Sequence, residues 1–414
     1  MEGPAPTFAD ATRFWAKLGC ISFGGPAGQV AIMHREVVEK RGWVSEEDFL
    51  HALNFCMLLP GPEAQQLATW IGWRLHGLRG GLVSGGLFVL PSFFVLVALS
   101  WVYAMWGVTP AVDGLLYGLR PAVLALIFMA ARRIGGKAMR APWQKVLAAA
   151  SLVLSWAGLP FPAILTVAAI VGCSVRSEAP TESNEPGSGA ASRVGRRIAW
   201  GGLVFVLLWV GLFAASSRVI ARGTDLALFF TKSAFVTFGG AYAVLPYVFD
   251  ASVHQYGWLQ PAQVIDGLAL GEATPGPLIM VVTFIGFLAG WGDPGALASP
   301  FLHGLAGAGI ATAFTFLPSL ALILMFAPLV SRAQATPWIR QALAGITAAV
   351  VAVILRLGLN LSATVLLLPR TMTPDAFACL LVAGSVFALN RNASAPLVIG
   401  ATAALGALLR FLGA

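Results

Sequence analysis

Three long stretches of this chain carry no charged side chain: Gly80 to Val112, Val146 to Val175 and Ile198 to Ser217. A helix needs about 20 apolar residues to cross the hydrocarbon core of a bilayer, and each stretch is long enough. Lipid offers no partner to backbone N–H and C=O groups, and barrel strands would alternate in polarity, so the segments are expected to be helical. Composition agrees, since only 11% of residues are charged where soluble domains carry about a quarter. The expected fold class is an all-α polytopic integral membrane protein. Its net charge of +8 is read as basic loops flanking spans and not as a nucleic-acid surface. The N-terminus lacks the basic and apolar regions of a cleaved signal, so the mature chain is expected to start near residue 1. Cys20, Cys56, Cys173 and Cys379 are scattered without metal-ligand spacing, and no phosphate-binding loop is present. No metal, cofactor or enzyme activity is expected.

The chain repeats itself. Lys17, Phe23-Gly24-Gly25, Gly42-Trp43 and Pro60-Gly61-Pro62 recur as Lys232, Phe238-Gly239-Gly240, Gly257-Trp258 and Pro275-Gly276-Pro277, all at one offset of 215. Leu90-Pro91 and Gly118 recur as Leu317-Pro318 and Gly345 at an offset of 227. Four landmarks at one spacing mark a duplicated unit. The boundaries read as a first repeat at 8–175, a polar linker at 176–197, an extra connecting helix at 198–217 and a second repeat at 225–412. The linker reads as disordered from its Gly, Ser and Pro content.

One extra crossing between two copies would invert the second, and the basic residues agree with that. In the first copy Arg35, Lys40, Arg41, Arg74 and Arg79 follow the FGG and PGP segments, and Arg132 to Lys145 holds five positives. In the second copy 250–260 and 288–300 have no Lys or Arg, while Arg332 and Arg340 lie in a loop whose first-copy counterpart is uncharged. Basic loops at both ends of 49–75 put both ends on one side. That is expected of a helix that enters, breaks at Pro60-Gly61-Pro62 and returns, with a Pro-kinked ordinary span as the alternative. Paired Gly/Pro-interrupted segments in two inverted halves are a sequence pointer to a secondary transporter's binding site.

A break inside a membrane frees backbone groups that protein, water or substrate must satisfy. Pro26, Pro62 and Pro277 suit the start of a new helix, while Pro60 and Pro275 help end the preceding one. The N–H groups and dipole at such a start favour an anion. Candidate donors are the backbones of Gly24, Gly25, Gly61, Gly239, Gly240 and Gly276, with the side chains of Ser22, Thr237, Thr274, Gln65 and Gln66. Close helix packing is the alternative for the glycines. Lys17 and Lys232, each seven residues before the second residue of its FGG, are candidate counter-charges, with snorkelling to the interface as the alternative. Glu63 directly follows Pro62, where a carboxylate can also simply cap its helix; the second copy has Leu278 there. Glu272 stands three residues before Pro275, where the negative end of a helix dipole opposes ionisation. It is the better candidate for proton coupling, and Glu63 the lesser.

With these residues in view, the chain resembles the chromate transporter family in its long, two-domain form. The resemblance rests on FGGPAGQ at Phe23, HRE with GW at His34 to Trp43, LLPGPEAQQ at Leu58 to Gln66 and FVLP at Phe88. It continues in FGG with LP at Phe238 to Pro246, GW at Gly257 and ATPGP at Ala273. It covers nearly the whole chain, and implies an integral plasma-membrane protein that exports chromate, a tetrahedral oxyanion, driven by membrane potential or a proton gradient. The second copy departs from the family pattern after its PGP, at Leu278 and Met280, so identical roles for the two halves do not follow. Sulfate, another dianion of similar size, stays open as the alternative substrate, and a homodimer stays open as the oligomeric state.

Overall fold

The computed structural model describes residues 6–22, 25–107, 109–175, 188–238, 240–293, 297–330, 337–367, 373–391 and 393–412. The regular structure among these is helical, apart from an isolated bridge between Leu367 and Pro374. The first half contains α1 (Phe8–Ile21), α2 (Gly25–His34), α3 (Glu46–Cys56), α4 (Glu63–Trp106), α5 (Pro110–Ala138), α6 (Pro142–Trp156) and α7 (Phe161–Ser174). After α8 (Ser188–Val219), the second half contains α9 (Gly223–Phe235), α10 (Ala241–Asp250), α11 (Pro261–Ala273) and α12 (Val281–Trp291), followed by α13 (Pro300–Phe326), α14 (Pro337–Leu366), α15 (Ala376–Asn390) and α16 (Ala395–Phe411). A 3₁₀ turn, Leu278–Met280, leads into α12.

The halves match element by element. Within α4, His76 and Gly77 leave helical geometry (Gly77 φ 61°, ψ −151°). Residues 63–75 therefore correspond to α12, and 78–106 to α13. Even the irregular backbone repeats: π-helical turns at Arg35–Lys40 and Ala251–Gln255 are followed by left-handed Gly42 and Gly257 (φ 57° and 60°).

In the first repeat the helices that flank the FGG and PGP segments fold back on each other as a V. Helix α1 ends at Ile21 and α2 leads away from the break. Arg41, beyond α2, lies 4.9 Å from the ring centres of both Phe14 of α1 and Trp43. Helix α3 enters and residues 63–75 return, so that Arg74 near the end of the return lies 3.7 Å from Asp48 near the start of α3. Both ends of 49–75 thus lie together, as the basic loops imply, and the kinked-span alternative is set aside. Gly77 then turns the chain back, and Gly72 rests against Gly80 and Ser84. In the second half Gly286 rests against Gly307 and Ala311.

Contacts between the halves are exchanged across a pseudo-two-fold axis. A Cβ on Gly118 of α5 would lie 2.0 Å from the Thr402 carbonyl oxygen of α16, and one on Gly345 of α14 would lie 2.2 Å from the Ala168 carbonyl oxygen of α7. Each pair joins a helix of one repeat to the last helix of the other. Helices α5 and α14 cross each other antiparallel: Gly135 meets Val351, and Gly358 meets Phe128 and Ile127. Equivalent helices that run in opposite directions are what an inverted repeat requires. The close approaches use small residues because lipid supplies no hydrophobic drive between helices, leaving packing to hold them.

Two expectations need correction. Val146 to Val175 is not one span but a hairpin: Ala157 to Pro160, with left-handed Gly158 (φ 85°), separates α6 from α7. At 1.5 Å per residue the hairpin's helices reach only about 21–23 Å, short of a core of about 30 Å. The linker is not wholly irregular either, because α8 begins at Ser188 and the apolar segment propagates helix back through the polar residues before it. Residues 176–187 lie outside the described residues, as does Arg332. Of 198–219 only Ser216 is buried, so α8 presents its apolar side chains outward, as a lipid-facing span does.

Candidate functional site

The breaks are joined in two pairs, each PGP loop being bonded to the residue that directly precedes the FGG of the other repeat. The Gly61 N–H donates to the Thr237 carbonyl at 2.8 Å, and the Gly276 N–H donates to the Ser22 carbonyl at 2.8 Å. These two bonds are equivalent under the repeat. The same symmetry governs the serines after Leu90-Pro91 and Leu317-Pro318. A Cβ on Gly61 would lie 2.6 Å from Ser319 Oγ, and one on Gly276 would lie 2.5 Å from Ser92 Cβ. Both glycines have positive φ, 126° and 110°, so only glycine suits the backbone and the space together.

Around this crossing lies a buried polar shell that the two halves furnish differently. The first repeat supplies Gln29, whose Nε2 donates to the Gly276 carbonyl at 2.5 Å, and Gln66, whose Nε2 donates to the Pro60 carbonyl at 2.8 Å. These bonds orient the amides, and the Oε1 atoms of both are buried without a partner. Gln65 accepts from Ser319 Oγ at 3.1 Å and donates to Thr69 Oγ1 at 3.2 Å. Ser92 Oγ and Ser233 Oγ are also buried without partners. The second repeat supplies Glu272, 8% exposed, which accepts a hydrogen bond from the Tyr242 hydroxyl. Glu63, the first residue of α4, has its Oε1 3.9 Å from where a Gly240 Cβ would stand. Unpaired polar atoms at a buried crossing suit a polar guest, because leaving them unmatched costs about 1–3 kcal/mol each.

Several predicted residues are not used as the sequence suggested. The N–H groups of Gly61 and Gly276 are occupied by carbonyls of the opposite repeat and are not free donors. The Ser22 and Thr237 hydroxyls donate back to Leu18 and Ser233 carbonyls, both at 2.6 Å, and Thr274 donates to Gly271 at 3.1 Å. Lys17 and Lys232 are exposed. Helix α1 ends before the FGG, so a count of two helical turns does not carry through the break. Its buried stripe is Ala11, Phe14, Trp15 and Leu18, which turns Lys17 outward. Both lysines thus lie on exposed faces of α1 and α9, apart from the buried crossing. Pro26 lies in the first turn of α2, whereas Pro62 and Pro277 stand one residue before their helices, at the caps. Pro60 and Pro275 lie within the irregular breaks. Gly25 and Gly240 open α2 and α10 with φ of 67° and 94°, leaving the first turns of those helices as the remaining backbone donors. Gly24 and Gly239 lie outside the described residues.

Gln29, Ser92, Ser319 and Tyr242 are additions. The serines were findable, since Leu-Pro-Ser recurs at the 227 offset. Gln29 is a lone amide in an apolar run, and Tyr242 gives no signal in sequence.

The chromate transporter family model matches residues 9–173 and 224–407. A chromate transport protein of Cupriavidus metallidurans is 28% identical over 413 residues, covering 97% of this chain and 93% of the relative. A probable chromate transport protein of Synechococcus elongatus is 30% identical over 84% of this chain and 82% of its own length. A chromate transport protein of Pseudomonas aeruginosa is 33% identical over 75% of this chain and 70% of its own. No solved structure matches the chain. With both repeats matched and relatives aligned over most of its length, the chain belongs to the chromate transporter family.

Proposed function

We propose that the protein is a secondary transporter that exports chromate across the plasma membrane, taking the oxyanion at the crossing of the paired breaks. The observation that carries this reading is the reciprocal bonding of Gly61 to Thr237 and Gly276 to Ser22. It ties the two antiparallel repeats together where the chain is least regular, and rocking of one repeat against the other would expose such a locus to each side in turn. The first turns of α2 and α10 offer N–H donors and the positive ends of helix dipoles. Export follows from charge: a dianion leaving a compartment at −100 mV gains about 4.6 kcal/mol, whereas uptake would need co-transported cations. Glu272 is the residue through which a proton gradient would add to this drive.

Proteoliposomes loaded with chromate, with a potassium-valinomycin potential negative inside, test the reading. Chromate should leave faster than from protein-free vesicles, and faster than sulfate or molybdate. Equal or greater sulfate flux would make sulfate the substrate, and no chromate flux at any potential would end the proposal.

A further inference from the structure

A cavity of about 750 Å³ lies between the α6–α7 turn, the second half of α10 with the π turn after it, the start of α11 and the second half of α14. Its charged lining residues are Asp250, His254 and Arg356. Asp250 and His254 are 3.6 Å apart with exposed side chains, which places them at the mouth. Arg356 lies deeper. It is ten residues from the end of α14, about 15 Å along the helix, and two residues from Gly358, where α14 crosses α5.

Arg356 is held but not neutralised. Its Nη1 donates to Ser155 Oγ at 2.6 Å, its Nε is buried with no partner, and no carboxylate lies within ion-pair distance among the described residues. Arg120, in the same fold, shows the contrast. Its Nε and Nη2 reach the two oxygens of buried Asp266 at 2.8 and 3.0 Å, and Tyr103 donates to the same carboxylate at 2.9 Å. One arginine has its fork filled by an oxyanion of the protein; the other lines a cavity and has no carboxylate partner among the described residues. Pro246, in the cavity wall, is one helical turn from Tyr242, whose hydroxyl donates to Glu272. The position equivalent to Arg356 in the first repeat is Met129, so only one repeat carries this arginine.

We infer that this cavity is an anion vestibule in which Arg356, with Asn360 one turn further along α14, holds a tetrahedral dianion on its way between the central crossing and the surface. This deepens the transport reading and rests on it. The guanidinium fork matches two oxygens of such an anion as it matches a carboxylate. On the topology given by the basic loops, the vestibule opens away from the cytoplasm, on the releasing side for export.

The test uses the full-length purified protein in detergent. Phenylglyoxal modification of Arg356 is followed by peptide mass spectrometry, with and without sulfate or chromate, beside equilibrium binding of radiolabelled sulfate. Arg356 should react, and either anion should slow its reaction while leaving Arg120 unaffected. Arg356→Gln should weaken sulfate binding about tenfold or more, the loss expected for a charge-assisted bidentate contact, and Arg356→Lys should weaken it less. Asn360→Asp keeps the arginine but sets a carboxylate beside it, so it should weaken binding even if Arg356→Gln fails to fold. An unreactive Arg356, absence of protection, or wild-type binding by Asn360→Asp would each overturn the vestibule. Vesicle flux of chromate separates the two readings. Flux without protection leaves transport standing and removes the vestibule, and protection by sulfate without chromate flux does the reverse.

Discussion

The two glutamates of the crossing occupy opposite helix ends and have different company. Glu272 is buried one residue before the end of α11 with the Tyr242 hydroxyl as its partner, while Glu63 opens α4 with no hydrogen-bond partner among the described residues. A buried acid whose partner is a neutral hydroxyl can exist with or without its proton, and only the charged form carries a desolvation cost. Gln at 272 mimics the neutral acid. Glu272→Gln is therefore expected to hold chromate flux at the wild-type acid-end value across about pH 5.5–8, measured in vesicles at fixed potential. Glu63→Gln should shift apparent affinity and keep the pH profile. If the profile is lost with Glu63→Gln and kept with Glu272→Gln, the roles are reversed. A second residue-scale prediction concerns Gly276 (φ 110°), where a Cβ would meet Ser92. Gly276→Ala should destabilise the protein in detergent by about 1–3 kcal/mol. Adding Ser92→Gly should return part of the loss, the steric part, and leave the strain of the backbone. No rescue would show that Ser92 is not the obstacle.

At the scale of elements, the helices of the two halves are held by small residues at exchanged positions. Gly118 on Thr402 and Gly345 on Ala168 are the same contact made twice. Gly118→Val and Gly345→Val should each lower the detergent melting temperature by a similar amount, reflecting about 1–3 kcal/mol of overpacking. Gly136, with open space where a Cβ would go, is the control, and Gly136→Val should melt close to the wild type. If only one of the first two variants is destabilised, the exchange is not energetically symmetric.

At the scale of the whole molecule, the antiparallel crossing of α5 and α14 fixes how the halves relate, and the outward-facing α8 connects them in sequence. Lys40 and Gln255 are equivalent exposed positions at the ends of the two π turns. In sealed cells, Lys40→Cys should react with an impermeant thiol reagent only after permeabilisation, and Gln255→Cys should react before it. Labelling is counted above that of the unsubstituted chain, which has its own cysteines. Equal accessibility of the two sites would contradict an inverted arrangement.

The charge-free runs determined the helical membrane class, because lipid leaves backbone groups only intrahelical partners. The fixed offset of 215 determined the repeat, and with it the breaks, since a duplicated Pro-Gly-Pro has the same backbone consequence twice. The side-chain roles were not legible, because they depend on what stands opposite. Gly61 and Gly276 look like free donors in sequence, and only the fold brings Thr237 and Ser22 to them from the other repeat. Lys17 seemed to share a face with its FGG until the helix ended short of it. Arg356 and Arg120 both stand within apolar stretches of their helices. Only tertiary structure, which sets Asp266 against Arg120 and a cavity against Arg356, distinguishes them. Periodicity and composition act along the chain and can be read there, whereas the pairing of buried polar groups depends on neighbours that lie more than a hundred residues away.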